Sequence, residues 1–384
     1  MDQIMIGDRV SYWRKRRGQS QTALAGLAGI NHSYLSKIEN GVRPVERRAT
    51  LVALAEALQV SVSELTGRPG DPTDPARARA AASIPAIREA LIMRAVGQTR
   101  PPSKPATVDQ LLVTSAAADY AASATILPDL LASTTGAELV QVCYAAMSFC
   151  TYVGYGDLGR EAARLALATA EELDDPRWIA VAGWAHAQAL PPETAGLAVT
   201  LARQAAERVQ PYIGRDTAAR QAYGMLHLIA ALRAAIAGMP ADAVSHLDEA
   251  EAEAATLGDP GADGGLCRLG FGPTNVAIWR STVLSEIGDV EQSAAVARRV
   301  EPGRLPIPNR QAMFWVDYGR TLATLNRDDE AVAAFLRAET VCPQLVRLLP
   351  TVQSTIGAIW RRKRRAAVTP QLRRAAEMIG FRHR

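Results

Sequence analysis

The sequence has few aromatic residues and few cysteines, and it has no long apolar run. Aromatics make up 5% of the 384 residues, and alanine is abundant, which favours closely packed helices over a β-sandwich or barrel. No CxxC pair occurs, so the cysteines are expected to be small buried hydrophobes in a reducing cytoplasm. They are Cys143, Cys150, Cys267 and Cys342. No apolar stretch of about 18 residues without charge is present, and none follows the basic start of the chain, so we expect neither a membrane span nor a signal peptide.

Motifs of catalysis and metal binding are also missing. The five histidines are scattered and no HExxH occurs, which argues against a metal site. No P-loop, GxSxG elbow or paired Cys/His arrangement is present. The segment Gly154–Gly159 matches GxGxxG, but it follows an amphipathic helix and not a strand, so we interpret it as a turn between helices. We therefore expect no enzyme, no cofactor and no metal.

The length predicts two or three domains at roughly 100–200 residues each. Hydrophobic residues make up 48% and charged residues 21%, which is typical of a folded chain. Residues 1–66 are predicted as a first domain of short helices, and 108–384 as a second helical domain. Residues 67–107, with two proline-rich stretches, are predicted as a linker with one helix at about 76–96.

Charge is unevenly distributed along the chain. The formal net charge is +4, but residues 1–70 carry +4 and residues 351–384 carry +8, so the part between them carries −8. The basic ends of the chain are suited to binding a polyanion such as nucleic acid, whereas the acidic body between them is not. The run Trp360–Arg365 either stays solvated at a helix C-terminus or contacts DNA or a partner subunit.

The second domain consists of helical stretches separated by tight breaks. The breaks fall at Gly156-Asp157, Pro191-Pro192, Gly238–Pro240, Gly288-Asp289 and Asn326-Arg327. Their spacing of 35–48 residues and the small residues of the second helices indicate an α-solenoid. The pattern resembles degenerate tetratricopeptide repeats. Residues 271–280, 310–325 and 328–346 resemble the repeat bodies of large actinobacterial regulators, in which a repeat array follows a helix-turn-helix.

Residues 20–41 have the pattern of two short helices joined by a tight turn. Ser20 and Asn31 are predicted N-caps, and Asn40-Gly41 is a predicted helix end. Leu24, Leu27, Ala28, Leu35 and Ile38 are predicted to face the core. Two positions carry small residues: Ala25, where the helices cross, and Gly29, in the turn. A Cβ at position 29 is expected to force the helices apart. These features predict a helix-turn-helix.

Residues 7–66 resemble the Xre/Cro/C1 family of phage-repressor-type DNA-binding domains. The resemblance rests on Leu24-Ala25, Gly29, Leu35-Ser36, Ile38–Gly41 and Pro44. It implies that the second helix of the motif lies in the major groove with its N-terminal residues on base edges. By position, His32, Ser33 and Lys37 would face the bases.

The flanking positions carry further candidate DNA contacts. Tyr34 would contact a thymine methyl or a phosphate, and Gln21 and Arg43 would hold phosphates. With the cap Asn31, the predicted DNA-binding set is Gln21, Asn31, His32, Ser33, Tyr34, Lys37 and Arg43. Lys37 is the best candidate for reading guanine. The basic run Arg14–Arg17 is either a solvated face or a source of phosphate contacts.

Amphipathic side chains recur in the first helices of the pairs, which line the inner wall of such a superhelix. We predict that they form an effector site for a peptide or small apolar ligand, although each could simply fill a gap between helices. They are Tyr144, Tyr152, Trp184, Tyr223, His227, Asn275, Trp279, Trp315 and Tyr318. The Gly-rich segment 258–272 is predicted to be a lid, a binding loop or an insertion.

The sequence thus predicts an all-α, cytoplasmic, nucleoid-associated transcription regulator that binds a double-stranded DNA operator as a homodimer. Its architecture resembles peptide-pheromone-responsive regulators of Gram-positive bacteria, which implies control by a ligand in the solenoid groove. The alternative is a solenoid that acts as a protein-interaction scaffold with no small-molecule effector. A third reading is an enzyme that merely carries a helix-turn-helix.

Overall fold

The computed structural model describes residues 5–66, 75–103, 105–363 and 368–380. Within these ranges the regular structure is entirely helical, and no helix is long and apolar enough to cross a membrane. The helices are α1 (Ile6–Arg16), α2 (Gln21–Leu27), α3 (His32–Glu39), α4 (Arg48–Leu58), α5 (Val62–Thr66), α6 (Pro75–Ala82), α7 (Ile84–Ala95), α8 (Val108–Ala116), α9 (Tyr120–Ser133), α10 (Gly136–Val153), α11 (Gly156–Leu173), α12 (Pro176–Ala189), α13 (Ala195–Val209), α14 (Thr217–Ile236), α15 (Pro240–Leu257), α16 (Pro273–Ile287), α17 (Val290–Ala297), α18 (Pro308–Thr324), α19 (Asp328–Val341), α20 (Pro343–Leu348), α21 (Pro350–Arg362) and α22 (Pro370–Met378).

Five helix pairs, from α10 and α11 to α18 and α19, meet at the five breaks predicted from the sequence. Each pair also packs on the next, which gives a solenoid-like array and confirms the predicted fold class. The GxGxxG segment contains the turn between α10 and α11 and the first residues of α11. Gly154 has φ +98° at the end of α10, and a Cβ at Gly159 would lie 2.8 Å from Thr151 Oγ1.

Alanine makes this close packing possible. Ala162, Ala163 and Ala166 on α11 are fully buried, as are Ala182 and Ala185 on α12. A methyl side chain lets two helix backbones approach closely while keeping high helix propensity. The low aromatic content of the chain therefore agrees with helices that pack closely through small side chains. All four cysteines are buried and unpaired, as the sequence predicted.

The segment before the repeats folds onto the solenoid. Two helices, α6 and α7, stand where the sequence suggested one at about 76–96, and both pack on α9. Ile87 and Leu91 of α7 belong to the same core as the repeats. The Gly- and Pro-rich residues 67–74 lie outside the described residues, and the predicted domain boundaries stay a prediction.

The Gly-rich segment 258–272 is folded against the solenoid. Phe271 is 1% exposed, and its ring lies where a Cβ on Gly224 of α14 would stand. Asp259 accepts hydrogen bonds from the backbone N–H and the hydroxyl of Thr274 at the start of α16, at 2.8 and 2.6 Å. Gln221 Oε1 accepts from the Leu266 N–H at 3.0 Å. These contacts make the segment part of the packed wall.

Candidate nucleic-acid interface

Helices α1 to α5 form the head, residues 5–66, around a core of their own. Ser20 accepts a hydrogen bond from the Ala23 N–H at 3.0 Å, and Asn31 accepts one from the Ser33 N–H at 2.7 Å. Both predicted N-caps are therefore confirmed. Leu24 of α2 and Leu35 of α3 are fully buried, so the pair of helices is held together from inside. Leu27, by contrast, is 66% exposed, so its predicted core position is wrong.

Gly29 has φ +62°, the left-handed conformation that favours glycine. The expected reason for a glycine here was that a Cβ would force the helices apart, and that reason is wrong. A Cβ at this position would meet no atom within 4 Å. Gly7 of α1 has the steric role instead, since a Cβ there would lie 1.9 Å from the Ile38 carbonyl oxygen. The backbone conformation alone therefore requires Gly29.

A buried ion pair fixes α3 on α1 and α2. Arg14 Nε and Nη2 donate to the two carboxylate oxygens of Glu39 at 2.6 and 2.8 Å, and Gln21 Nε2 donates to Glu39 Oε2 at 2.8 Å. Burial opposes ionisation of Glu39, but the hydrogen bonds from Arg14 and Gln21 outweigh it and lower its pKa. This role of Glu39 was not predicted from the sequence. An acid at the end of an otherwise acid-free helix was the available signal.

The outer side of α3 is open to solvent. His32, Ser33 and Lys37 are exposed, as is the cap Asn31. Within the described part of the chain, Lys37 makes no ion pair, so its ammonium group is available. The face opposite the Leu35–Ile38 core therefore presents hydrogen-bond donors and acceptors in a row of about one and a half helical turns.

Three residues of the predicted DNA-binding set already have partners within the head. Gln21 is bound to Glu39, as described above. Arg43 pairs with Glu46. The Tyr34 hydroxyl accepts from the Glu46 N–H at 3.1 Å, and burial with the nearby Glu46 carboxylate raises its pKa to about 12. These side chains shape the loop after α3, and their DNA contacts stay predictions.

The basic run at the end of α1 is largely used for packing. Arg14 is held by Glu39. Arg17 donates to the Leu58 and Gln59 carbonyls at 3.1 and 3.2 Å, at the end of α4. Arg16 lies over Trp13, with 5.7 Å between the guanidinium carbon and the ring centroid. Lys15 is exposed, so the run offers fewer free cations than its sequence suggests.

The head contacts the solenoid through α4, α5 and the segment that precedes α4. Arg48, the first residue of α4, donates from its backbone N–H and its guanidinium to the two oxygens of Glu286 on α16, both at 2.7 Å. Arg320 of α18 donates to the Glu46 carbonyl at 2.8 Å. At the other end, Glu193 accepts from the Val62 N–H of α5 at 2.7 Å. These contacts leave the exposed face of α3 free.

The C-terminal basic run also touches the head. Arg361 lies against Gly41, where a Cβ would stand 1.4 Å from its Nη1. Arg362 pairs with Asp328, and Lys363 with Asp329 at 3.1 Å. The described part of the run therefore binds the head and the acidic body, while Arg364 and Arg365 lie outside the described residues.

The predicted effector residues differ in how deeply they are buried. Four of the nine are buried at 6% exposure or less, namely Trp184, Tyr223, Asn275 and Trp279. Tyr144 packs on Trp184 at 5.6 Å between ring centroids, and Arg310 lies 4.9 Å from the Trp279 ring. Trp315 and Tyr318 pack together with Phe314 in a separate group. The ligand-binding role of the set stays a prediction.

Tyr152 is the candidate that interacts electrostatically with a residue of the head. Burial raises the pKa of its hydroxyl, and the positive charges of Arg310 and Arg48 oppose that shift. The charge of Arg48, which belongs to α4, therefore affects the pKa of a hydroxyl group on α10. This places one predicted effector residue at the junction between head and solenoid.

Two histidines pair between α14 and α15. The Nδ1 atoms of His227 and His246 are 3.1 Å apart, so one ring donates and the other accepts. Burial and the neighbouring His246 lower the pKa of His227 to about 4. Tyr223 donates to Glu249 at 2.8 Å beside them. No group of three or more His, Cys, Asp or Glu placed to hold a metal is found in the described ranges.

Comparison with known proteins covers the head alone. Residues 6–66 match the family model described as a helix-turn-helix domain. The chain is 41% identical over 61 residues to the HTH-type transcriptional regulator SlrR of Bacillus subtilis, which is 16% of this chain and 40% of that protein. It is 39% identical over 61 residues to the regulators SinR of Bacillus subtilis and Bacillus licheniformis, at 55% of their length.

The chain thus spans about half the length of the curated relatives it matches. No solved structure shows a significant match to it. The geometry and the family match agree on the same segment, so residues 6–66 form a helix-turn-helix domain.

Proposed function

We propose that the protein is a sequence-specific DNA-binding transcriptional regulator. The observation that carries this proposal is the open face of α3, where His32, Ser33 and Lys37 are exposed while Leu35 and Ile38 hold the helix in the core of the head. A helix held at one end by a buried ion pair presents its side chains with little loss of entropy on binding. The similarity of the head to that of SinR and SlrR supports the same function.

The protein is proposed to act as a homodimer on an inverted repeat. A head of about 60 residues makes too few contacts for tight specific binding alone. Two copies of α3 would read half-sites about 34 Å apart, or a multiple of that distance. The exposed Asn31 and the α2 N-terminus would contact DNA phosphates and so fix the position of the head on the duplex.

Control of the protein is proposed to act at the junction of head and solenoid. Arg48 joins α4 to Glu286 of the solenoid, and burial raises the pKa of the nearby Tyr152 while the positive charges of Arg310 and Arg48 oppose that shift. A ligand that binds the solenoid near this contact would weaken or strengthen the ion pair between Arg48 and Glu286. A coupling of about 1–3 kcal/mol between the two sites would change the arrangement of the heads and their affinity for DNA.

The alternative is a solenoid that binds a partner protein. Phe271 fills the space beneath the segment 258–272, where a closed small-molecule cavity would otherwise have to lie. Because side chains fill the interior of this wall, recognition on its outer surface is favoured, as in other repeat arrays. Both readings keep the head as the DNA-binding part.

The test is selection of bound fragments from host genomic DNA by the purified protein, with and without host cell extract. Enrichment of a short inverted repeat is expected, and extract is expected to change the affinity. If the component of the extract that changes the affinity passes a small-pore dialysis membrane, a small effector is supported. If that component is retained and heat-labile, a partner protein is supported. No enriched sequence under either condition would overturn the proposed function.

A further inference from the structure

The end of α21 is a basic surface that touches the head. Residues 351–384 carry a net charge of +8, and the last turn of α21 holds Arg361 and Arg362. The Nη1 atom of Arg361 lies so close to Gly41 that a Cβ on that glycine would stand 1.4 Å from it. The Nη1 atom of Arg362 lies 3.5 Å from the carbonyl oxygen of Val42. The basic end of the solenoid therefore borders the loop that follows α3.

Arg361 is the residue of this surface whose charge stays available. Asp328 at the start of α19 pairs with Arg362, and Asp329 pairs with Lys363 at 3.1 Å. Arg361 is exposed, and it makes no ion pair with any residue that the structure describes. The neighbouring cations thus neutralise the acids of α19, and the guanidinium of Arg361 has no counter-ion there.

The position of Arg361 relative to α3 is set by the loop that it touches. Gly41 follows Asn40, the exposed C-cap of α3, and the Val42 N–H donates to the Lys37 carbonyl at 2.8 Å. The loop is therefore folded against the last turn of the helix. The guanidinium of Arg361 is held about one helical turn beyond Lys37, the last of the exposed residues proposed to face the bases.

We propose that Arg361 contacts a DNA phosphate, so that the DNA interface extends from the helix-turn-helix domain onto the solenoid. The major groove is about 12 Å wide and a helix with its side chains is about 10–12 Å across, so phosphates border both sides of a helix that lies in the groove. A cation beside the end of α3 then stands at the edge of the groove, where phosphates are the nearest anions. A guanidinium binds a phosphate through two parallel N–H donors.

This inference rests on the proposed DNA binding and gives the solenoid a direct part in it. The contact requires that the head stays on α21, where Met5 packs so closely that a Cβ on Gly357 would lie 2.4 Å from its Cε. Any movement of the head away from α21 would separate Arg361 from the phosphate beside α3. Phosphate contacts position a protein without reading sequence, so Arg361 adds affinity and no base preference.

The test measures the affinity of the full chain for the selected operator fragment and for an unrelated duplex of the same length, at several salt concentrations. Each phosphate contact contributes about 0.9 to the slope of log affinity against log salt, which corresponds to about eightfold in affinity at 0.1 M salt. Arg361→Gln is expected to reduce the slope and the affinity by these amounts on both duplexes. Arg361→Lys keeps the charge and is expected to keep the wild-type slope.

Arg299→Gln is the matched control. Arg299 is also exposed and has no ion-pair partner in the described ranges, but it follows α17 and does not border α3. The substitution removes the same charge from the chain, and charges farther from the DNA than about 10 Å are largely screened at 0.1 M salt. The slope and the affinity are therefore expected to stay as in the wild type.

The outcomes separate this contact from the proposed function. An unchanged slope in Arg361→Gln overturns the contact, even where the affinity falls, since such a loss would come from the shape of the loop and not from charge. An equal fall in the slope of Arg361→Lys or Arg299→Gln overturns it as well. If Arg361→Gln lowers the slope as described but the wild type prefers no sequence, the phosphate contact is sustained and the proposed specific regulator is overturned.

Discussion

Arg48 and Glu286 lie 238 residues apart in the sequence and form one two-point contact. The backbone N–H and the guanidinium of Arg48 bind the two oxygens of a carboxylate that is 3% exposed. A helix N-terminus and a cation thus meet a single buried anion, which fixes both the position and the direction of α4 on the solenoid. The seating of the head depends on this geometry.

Glu286→Gln is expected to loosen the head from the solenoid. Removing one partner of a buried ion pair costs about 3–5 kcal/mol, and here the loss falls on the junction. Calorimetry should then show the head and the solenoid unfolding in two separate transitions, where the wild type shows coupled unfolding.

Glu251→Gln is the matched control for that experiment. Glu251 is exposed and paired with Arg280 at 2.6 Å on the solenoid surface. Exposed pairs contribute about 0–1 kcal/mol, so the unfolding profile should stay as in the wild type. An unchanged single transition in Glu286→Gln would mean that the Arg48 contact does not hold the head.

The stability of the head is expected to fall in acid because of Glu39. Its pKa is lowered in the folded head, so its contribution is present above the ordinary value of 4.5 and is lost as pH falls through the lower folded value. Glu39→Gln should destabilise the head by about 3 kcal/mol near pH 7, since it leaves Arg14 buried without its anion. The difference from the wild type should shrink as pH falls below 4.5.

The measurement is the midpoint of the coupled thermal transition between pH 7 and pH 3 in both proteins. Glu56→Gln, on the exposed side of α4, provides the same substitution without a buried partner and should follow the wild-type curve. Parallel curves for wild type and Glu39→Gln would show that the carboxylate is not held by Arg14 and Gln21.

Two glycines of the motif are expected to respond to alanine in opposite directions. Gly29 has φ +62°, so Gly29→Ala should destabilise the head by about 1–2 kcal/mol, and Gly29→Asn by less. Gly26 is inside α2 with open space around it, so Gly26→Ala should stabilise the head by about 0.5–1 kcal/mol. Chemical denaturation followed by circular dichroism measures both. Equal loss in Gly29→Ala and Gly29→Asn would point to a steric cause instead of a conformational one.

The features that the sequence predicted correctly are local ones. Ser20 and Asn31 bond to N–H groups two or three residues away, and each solenoid break combines Gly, Pro, Asp or Asn within a few residues. Caps and turns are decided by neighbouring residues, so their chemistry is visible in a short window. The all-helical class follows from the same kind of signal.

The features that it missed depend on partners distant in the chain. Glu39 acts through Arg14, 25 residues away, and no periodicity marks the pair. Trp184 and Trp279 were expected on the groove because of their chemistry; the structure shows both buried, and their contact with a ligand stays a prediction. An amphipathic ring suits a ligand and a core gap equally well, and only packing decides between them.

Lys37 is expected to read one base position of the operator. Lys37→Ala should cost about 1–3 kcal/mol and relax the preference at that position, because the ammonium on the open face of α3 would lose its contacts with guanine O6 and N7. Lys15→Ala removes the same charge from the exposed end of α1, where it can contact phosphate at most, so any loss should be uniform across sequences. Binding of both variants to a library of single-base operator variants distinguishes the two cases. If Lys37→Ala weakened every sequence equally, Lys37 would hold the backbone, and the specificity of α3 would have to come from His32 and Ser33.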